Sequence, residues 1–283
     1  MDRKTILLRA VRTFRLHAMS IIVLGLSAGA ALIPGTAHGQ IFVTNLNGDT
    51  VGEYNLDGTT VKASLVSGLS YPWGVAVSGS ELFVTNNIGP MTIGEYTLGG
   101  TPGTITSSNP SLIPGLSEPA GIAVSGTNLF VITGSNTIGE YTTSGGTVNA
   151  ALVTGLNSAT GIAVSGSDLF VTSYNTDTIG EYILGGTPGT ITSSFPSLVT
   201  GLNSPFGIAV FGSDLFVANT NGNTVGEYTL GNTPGTITSS IPSLISGLDN
   251  PGGIFVVPEP SAWALFGIGA AALLALRPRR SQA

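Results

Sequence analysis

The amino-acid sequence predicts an all-β fold, and three observations lead to that prediction. The chain has 41 glycines and 16 prolines among 283 residues, about a fifth, whereas average usage is about 12%. Only 8% of the residues are charged and 42% are hydrophobic, which excludes a disordered polyelectrolyte and a charge-rich coiled coil. Short β-branched and aromatic runs recur between Gly, Asn, Ser and Pro clusters, a pattern typical of strands joined by turns.

Residues 1–39 are predicted to be a signal peptide. A basic segment precedes the apolar run 21–33, as in secretory leaders. Ala37 and Gly39 place small residues at the −3 and −1 positions of a cleavage before Gln40, the pattern that signal peptidase requires. An uncleaved membrane anchor is the alternative, but the apolar run is shorter than the ~20 residues that span a bilayer.

Residues 258–283 form a tail of three parts: a Pro-Glu-Pro motif, an apolar run and a basic cluster. The motif and cluster residues are Pro258, Glu259, Pro260, Arg277, Arg279 and Arg280. As a helix, the run 262–276 would reach ~22 Å, short of a hydrocarbon core of ~30 Å. We therefore expect helical hydrophobic tails at both ends, with only transient membrane insertion of the second. An ordinary C-terminal anchor is the alternative.

This order of motif, apolar run and arginine cluster resembles the PEP-CTERM sorting signal of Gram-negative bacteria. The resemblance implies recognition by an exosortase, removal of the tail, and release to the cell surface or to extracellular polymer. The expected location is thus the envelope, the surface or the extracellular matrix.

Between the two ends, four phrases each occur five times in a fixed order. Gly-(Ile/Val)-Ala-Val or its variant begins at Gly74, Gly121, Gly161, Gly207 and Gly253. (Ile/Leu)-Phe-Val begins at Ile41, Leu82, Leu129, Leu169 and Leu215. Gly-Glu-Tyr begins at Gly52, Gly94, Gly139, Gly180 and Gly226. Gly-Leu ends at Leu69, Leu116, Leu156, Leu202 and Leu248.

The first phrase recurs at spacings of 47, 40, 46 and 46 residues, and four strands in ~40 to 50 residues are typical of a propeller blade. The sequence therefore predicts a five-bladed β-propeller of four-stranded antiparallel blades over residues 40–257. The third unit lacks the (Gly/Asn)-Thr-Pro-Gly-Thr stretch that is found after Leu98, Leu184 and Leu230. We interpret that difference as a loop insertion between the third and fourth strands.

The repeat begins at a second strand, at Ile41, and ends after a first strand, at Val256. We therefore expect the C-terminal strand to pair with residues 41–44 and close the ring, which leaves no open sheet edge. An open or oligomeric arrangement is the alternative. The units resemble NHL-type repeats, as in the SMP-30/gluconolactonase-like group, although five units depart from the six common there.

Composition excludes several kinds of chemistry. The chain has no cysteine, and its two histidines and all its arginines lie outside residues 40–257. A serine or threonine nucleophile would therefore lack its usual base. Thirteen acidic residues against Lys62 give residues 40–257 a formal charge of −12, so nucleic acid, whose phosphates need cationic partners, is excluded as a ligand.

The repeated glutamates Glu53, Glu95, Glu140, Glu181 and Glu227 are expected to reach solvent, because one lysine cannot pair with five buried carboxylates. A ring of calcium ligands is the alternative interpretation. We expect no cofactor, with Ca²⁺ left open. The resemblance to lactonase-like proteins implies an alternative function, a divalent-cation-dependent hydrolase or lactonase.

One face of the ring should gather aromatic and amide side chains, because the loop before each first strand and the loop after each second strand lie at the same end of the strands. The candidate ligand residues are Trp73, Phe206, Asn45, Asn86 and Asn219. Aromatic rings beside amides suit a neutral glycan or exopolysaccharide. The alternative is that these Asn residues only form tight turns. We thus expect a non-enzymatic binding or structural protein, with a surface spacer lacking any ligand as the third alternative.

Overall fold

The computed structural model describes residues 22–23, 40–55, 58–134 and 136–254, which form twenty strands in five four-stranded antiparallel sheets. Blade 1 contains β1 (Ile22–Val23), β2 (Gln40–Asn45), β3 (Thr50–Asn55) and β4 (Thr60–Ser67). Blade 2 contains β5 (Pro72–Ser78), β6 (Glu81–Asn86), β7 (Thr92–Leu98) and β8 (Ile105–Ile113). Blade 3 contains β9 (Ile122–Ser125), β10 (Asn128–Thr133), β11 (Thr137–Thr142) and β12 (Thr147–Val153). Blade 4 contains β13 (Ala159–Ser165), β14 (Asp168–Ser173), β15 (Thr178–Leu184) and β16 (Ile191–Val199). Blade 5 contains β17 (Pro205–Phe211), β18 (Asp214–Asn219), β19 (Thr224–Leu230) and β20 (Ile237–Ile245). The prediction of a five-bladed β-propeller is confirmed.

The first and second strands of blades 2 to 5 are joined by two-residue hairpin turns. In blade 2, Ser78 pairs with Glu81, and the turn residue Gly79 has a φ of 61°. A positive φ at the first turn position is the conformation that glycine adopts without steric cost. The acids and amides that follow these turns are therefore strand residues at the start of the second strands.

The Gly-Glu-Tyr phrase is explained by one aromatic ring that folds over its own strand. A Cβ on Gly94 would come within 2.9 Å of the Tyr96 ring and hydroxyl, so only glycine leaves room for it. Tyr96 is buried, and burial raises the pKa of its phenol. The same arrangement recurs in the other four blades.

Packing between neighbouring blades forms the core. Four apolar clusters join blade 1 to 2, 2 to 3, 3 to 4 and 4 to 5. Between blades 2 and 3, for example, Phe83 and Ile93 pack with Leu129 and Tyr141. Full burial of one such apolar side chain stabilises the fold by about 1.5–3 kcal/mol. The (Ile/Leu)-Phe-Val phrase thus contributes to the contact between blades in every one of the four clusters.

The first strands surround a narrow hub. A cavity of about 60 Å³ is lined by the Gly-Ile and Gly-Val pairs of blades 2 to 5 and by Gly253 and Ile254, which take the fifth place. A Cβ on Gly74 would lie 2.6 Å from the carbonyl oxygen of Ala120 in the next blade. The hub glycines are therefore required by close approach of neighbouring backbones.

The expected ring closure differs from the structure. The inner edge of β2 pairs with β1, with Ile22 opposite Val43 and Val23 opposite Phe42. The predicted partner of β2 begins at Gly253, and of that segment only Gly253 and Ile254 are described; they lie beside Gly207 of blade 5. Both segments are short and apolar, so either satisfies the hydrogen-bonding edge of β2, and the sequence pattern does not distinguish them.

The predicted helical tails lie mostly outside the described residues. Ile22 and Val23, the described part of the N-terminal tail, form a strand instead of a helix. The sole helical element in the described ranges is a 3₁₀ turn at Leu46–Gly48. No helix in the described part of the chain is long and apolar enough to cross a membrane, and the predicted membrane segment 262–276 is not described.

Candidate functional site

Three aromatic side chains meet at the mouth of the hub. The ring centroids of Trp73 and Phe206 are 5.9 Å apart, and those of Tyr71 and Trp73 are 6.3 Å apart. These separations lie within the range of favourable aromatic pairs. Trp73 belongs to blade 2 and Phe206 to blade 5, so the contact crosses the ring. We name Tyr71, Trp73 and Phe206 the aromatic cluster.

Trp73 is fixed from two sides. Its carbonyl oxygen accepts a hydrogen bond from the Thr44 hydroxyl of blade 1 at 3.1 Å, and its ring packs against the cluster between blades 3 and 4. The indole Nε1–H is buried and has no hydrogen-bond partner among the described residues. Trp73 and Tyr71 are half-buried, whereas Phe206 is buried. The cluster therefore offers a rigid apolar surface that is partly open to solvent.

An exposed apolar side chain lies in the loop that pairs with the residue before Tyr71, and sequence reasoning missed it. Ile88 is 53% exposed, and its amide donates to the carbonyl of Ser70, the residue before Tyr71. The sequence signal was an isoleucine in a polar loop between two strands. The blade 2 sector of this face is therefore more apolar than the predicted residue set indicated.

The structure places the three candidate amides differently from one another. Asn86 is buried, accepts a hydrogen bond from the Ser70 amide at 3.0 Å and donates to Thr92 at 3.1 Å. Asn219 is buried and donates to Thr224 at 3.3 Å. Asn45 is exposed beside the 3₁₀ turn. Two of the three amides thus connect loops of the ring, and only Asn45 is open to a ligand.

Other polar residues of this face also hold loops together. Asp49 Oδ1 accepts the amide hydrogen of Tyr71 at 2.8 Å, and Asp177 Oδ1 accepts that of Ser204 at 2.7 Å. The five Gly-Leu phrases serve the same purpose, because each leucine amide donates to a carbonyl in the loop between second and third strands. The pairs are Leu69 with Asp49, Leu116 with Met91, Leu156 with Asn136, Leu202 with Asp177 and Leu248 with Asn223.

The expectation that all five repeated glutamates reach solvent is wrong. Glu53, Glu140, Glu181 and Glu227 are only 2–7% exposed, and only Glu95 is half-buried. Neutral donors replace the missing cations. Each oxygen of Glu140 accepts one hydrogen bond, Oε1 from Asn128 at 2.9 Å and Oε2 from the Gly189 amide at 2.8 Å.

The backbone amides that donate to these glutamates come from the next blade. The long loops of blades 2, 4 and 5 each donate one glycine amide to a glutamate of the preceding blade. The pairs are Gly103 with Glu53 at 2.8 Å, Gly189 with Glu140 at 2.8 Å and Gly235 with Glu181 at 2.5 Å. Blade 3 lacks this loop, and Glu95 has no hydrogen-bond partner among the described residues. We name the Glu-Gly pair the blade clip.

Burial shifts the pKa of three of these glutamates. Desolvation raises the pKa of Glu53, against the lowering effect of hydrogen bonds from Gly103 and Gln40. Desolvation also raises the pKa of Glu95, with a further contribution from the nearby Glu81 carboxylate. For Glu181, desolvation raises the pKa, the Gly235 hydrogen bond lowers it, and Asp168 raises it.

Acidic residues do not converge in the described part of the propeller. No group of three or more His, Cys, Asp or Glu side chains there is placed to hold a metal ion. Gln40, the residue after the predicted signal cleavage, begins β2 and donates to Glu53. Ala37, Gly39 and the six sorting-signal residues lie outside the described residues.

Residues 256–280 match the PEP-CTERM protein-sorting motif. The chain carries a PEP-CTERM signal. This motif indicates export and sorting to the cell envelope or surface, with an exosortase as the processing partner. It begins two residues before the predicted tail boundary at Pro258. A search of the curated proteins found no match.

Solved structures share the propeller fold at low sequence identity. A nidogen/laminin complex matches at 20% identity, covering 71% of this chain and 74% of the other, with a TM-score of 0.57. A catalytically inactive His-to-Ala variant of virginiamycin B lyase from Staphylococcus aureus matches at 23% identity, with 77% and 71% coverage and a TM-score of 0.55. A gluconolactonase from Xanthomonas campestris matches at 15% identity, with 74% coverage of both chains and a TM-score of 0.55. At such identities these neighbours show the fold alone.

Proposed function

We propose that this chain is an exported, exosortase-processed and non-enzymatic β-propeller of a Gram-negative bacterium, which binds neutral polysaccharide of the cell surface or extracellular matrix. The observation that carries the proposal is the aromatic cluster at the hub mouth of a chain with a PEP-CTERM signal. Aromatic faces pack on the apolar faces of sugars, while exposed amides such as Asn45 exchange hydrogen bonds with hydroxyls.

Two features favour binding over catalysis. The repeated carboxylates Glu53, Glu140 and Glu181 are engaged by glycine amides of the next blade, so these acids act in the structure. The hub cavity of about 60 Å³ is far below the ~300–1,000 Å³ of typical small-molecule sites. The hub is therefore too small for a saccharide, which supports binding on the surface of the ring.

The neighbours include a protein complex as well as enzymes. The nidogen/laminin complex supports a binding role for this chain. The virginiamycin B lyase variant is inactive after a histidine was replaced, and residues 40–257 of this chain contain no histidine. The alternative, a lactonase, is tested directly by measuring the hydrolysis of gluconolactone by the purified protein with and without added Ca²⁺.

The binding proposal is tested on a glycan array of neutral and acidic polysaccharides with the full-length protein. We expect binding to neutral polymers, weakened at least ~10-fold by Trp73→Ala, about 1.4 kcal/mol. Tyr71→Ala is the second variant, because Tyr71 is half-buried at the edge of the cluster and its loss leaves the core intact. The control is Phe211→Ala, an exposed side chain at the opposite end of the strands. Equal losses in Tyr71→Ala and Phe211→Ala, or no binding to any polymer, would contradict the proposal.

A further inference from the structure

A second recess lies on the face opposite to the aromatic cluster. A cleft of about 490 Å³ is lined by residues of blades 3 and 4, and its volume lies within the ~300–1,000 Å³ typical of ligand sites. It is lined by hairpin-turn residues between first and second strands and by the loop 185–190 between third and fourth strands. The aromatic cluster lies at the other ends of the same strands, so the two sites are separate.

The two blades that line the cleft carry loops of different length. The β11–β12 connection of blade 3 spans only residues 143–146, whereas the β15–β16 connection of blade 4 spans 185–190. The longer loop reaches over the shorter hairpin and is fastened there by two hydrogen bonds. The Gly189 amide donates to Glu140 at 2.8 Å, and Asn149 donates to the Gly189 carbonyl at 2.9 Å. The wall of the cleft is therefore fixed in place.

The lining carries unused hydrogen-bonding capacity. Glu140 is 3% exposed and each of its oxygens accepts one hydrogen bond, whereas a carboxylate has about four acceptor sites. Within the described residues, the Ser125 and Thr187 hydroxyls and the Asn128 amide oxygen have no hydrogen-bond partner. Leu184 and Pro188 add apolar surface to the same lining. The cleft therefore combines acceptors and hydroxyls with a small apolar wall.

We propose that this cleft binds a neutral saccharide unit. Sugar hydroxyls donate to Glu140 and Asn128, and the C–H face of the sugar packs on Leu184 and Pro188. Glu140 is the one charged residue in the lining, so it repels uronates and other anionic sugars. The inference rests on the proposed polysaccharide-binding function, but it concerns a different face and a second contact with the polymer.

A pair of glycines provides a matched test. Gly186 lies in the cleft wall, and a Cβ there meets no atom within 4 Å. Gly100 occupies the same position in the loop of blade 2, and a Cβ there also meets none. Neither glycine has a positive φ, so the backbone of both accepts an L side chain. Gly186→Phe adds a large side chain at the cleft wall, whereas Gly100→Phe makes the same chemical change elsewhere.

Cellobiose, glucosamine and glucuronate are titrated into the full-length protein by calorimetry or by ligand-observed NMR. We expect cellobiose to bind with a dissociation constant of about 10 mM or lower. Gly186→Phe should weaken this affinity at least ~10-fold, whereas the affinity of Gly100→Phe should stay within ~2-fold of that of the parent protein. Glucuronate should not bind. If glucosamine binds and cellobiose does not, the proposal that the ligand is neutral is contradicted. If cellobiose does not bind to the parent protein, the proposal of a saccharide site in the cleft is contradicted.

The two proposals fail separately. Loss of cellobiose binding in Trp73→Ala but not in Gly186→Phe contradicts the cleft and supports the aromatic cluster. Loss in Gly186→Phe together with an unaltered glycan-array profile in Tyr71→Ala supports the cleft and contradicts the cluster. Equal losses of cellobiose affinity in Gly186→Phe and Gly100→Phe contradict binding in the cleft, because the substitution would then act in the same way in a loop that does not line it.

Discussion

Replacement of a clipped glutamate should destabilise the ring, whereas replacement of the unclipped one should not. Glu140→Ala removes a buried carboxylate that accepts two hydrogen bonds, one of them from the next blade. Glu95→Ala changes the equivalent residue of blade 2, which has no hydrogen-bond partner among the described residues and faces repulsion from Glu81. The pair tests whether the blade clip stabilises the propeller.

The magnitude follows from the partners that are left behind. Hydrogen bonds to charged groups contribute about 1.5–3 kcal/mol each. The donors Asn128 and Gly189 are half-buried, so water partly replaces the lost acceptor and the lower end applies, about 3 kcal/mol for the two bonds. Relief of carboxylate desolvation offsets part of this, which leaves about 2 kcal/mol. At ~2–4 °C per kcal/mol for a domain of this size, Tm should fall by about 4–8 °C.

The assay is thermal unfolding followed by far-ultraviolet circular dichroism, with the urea midpoint at constant m as a second measure. For Glu95→Ala we expect a Tm within about 2 °C of the parent, because lost methylene packing and relieved repulsion oppose each other. Two results would refute the reasoning. One is a Glu95→Ala loss equal to that of Glu140→Ala, and the other is an unaltered Tm in Glu140→Ala.

Three further predictions concern the hub, the pH dependence of stability and processing. Gly74→Ala places a methyl group 2.6 Å from the Ala120 carbonyl oxygen, and this overpacking should lower the free energy of unfolding by about 1–3 kcal/mol or more. Gly186→Ala adds a methyl group in open space and should be neutral or stabilise the fold by up to about 1 kcal/mol. Equal urea midpoints for the two variants would contradict this. The pKa values of Glu53, Glu95 and Glu181 are raised in the native state, so above the unfolded pKa near 4.5 the native state binds more protons than the unfolded state. The free energy of unfolding should therefore increase as the pH falls from neutral toward 4.5, and this gain should be lost as the pH rises through the folded pKa values. Urea midpoints between pH 7 and 4.5 check this, and Glu181→Gln should reduce the dependence of the midpoint on pH. A parent protein whose urea midpoint falls on acidification in this range would show that the predicted sign is wrong. Intact mass spectrometry of protein from culture medium and from membranes should find the loss of residues 1–39 and of the C-terminal tail, whereas a full-length species in the inner membrane contradicts processing.

The sequence predicted the blades because each phrase has a local cause. Strand alternation, two-residue turns such as that at Gly79, and the Tyr96 ring over Gly94 all involve neighbours within a few residues or one hairpin. Repetition then identified the same causes five times. The shared face of Trp73 and Phe206 was also predictable, because strand direction fixes the end of the blade at which each loop lies.

The clips were not predictable, because they join residues about fifty positions apart in different blades. Gly103 and Glu53 are separated by 50 residues, and Gly235 and Glu181 by 54. Periodicity within a unit does not specify the register between units. The argument from charge also assumed that only cations offset a buried carboxylate, whereas amide N–H groups do so as well. The one available signal was that the long loop is present in some units and missing from the third.

The clips also account for how a ring with a formal charge of −12 over residues 40–257 is held together. Neutral groups bridge the blades: glycine amides bind Glu53 and Glu181, and the Thr44 and Thr85 hydroxyls bind carbonyls of the next blade. Such contacts are screened by salt far less than exposed ion pairs are. Residues 40–257 contain one cation, Lys62, so we expect both candidate binding sites to discriminate against acidic polymers. If the proposed glycan binding holds, stability in variable salt and a preference for neutral glycans share one physical origin.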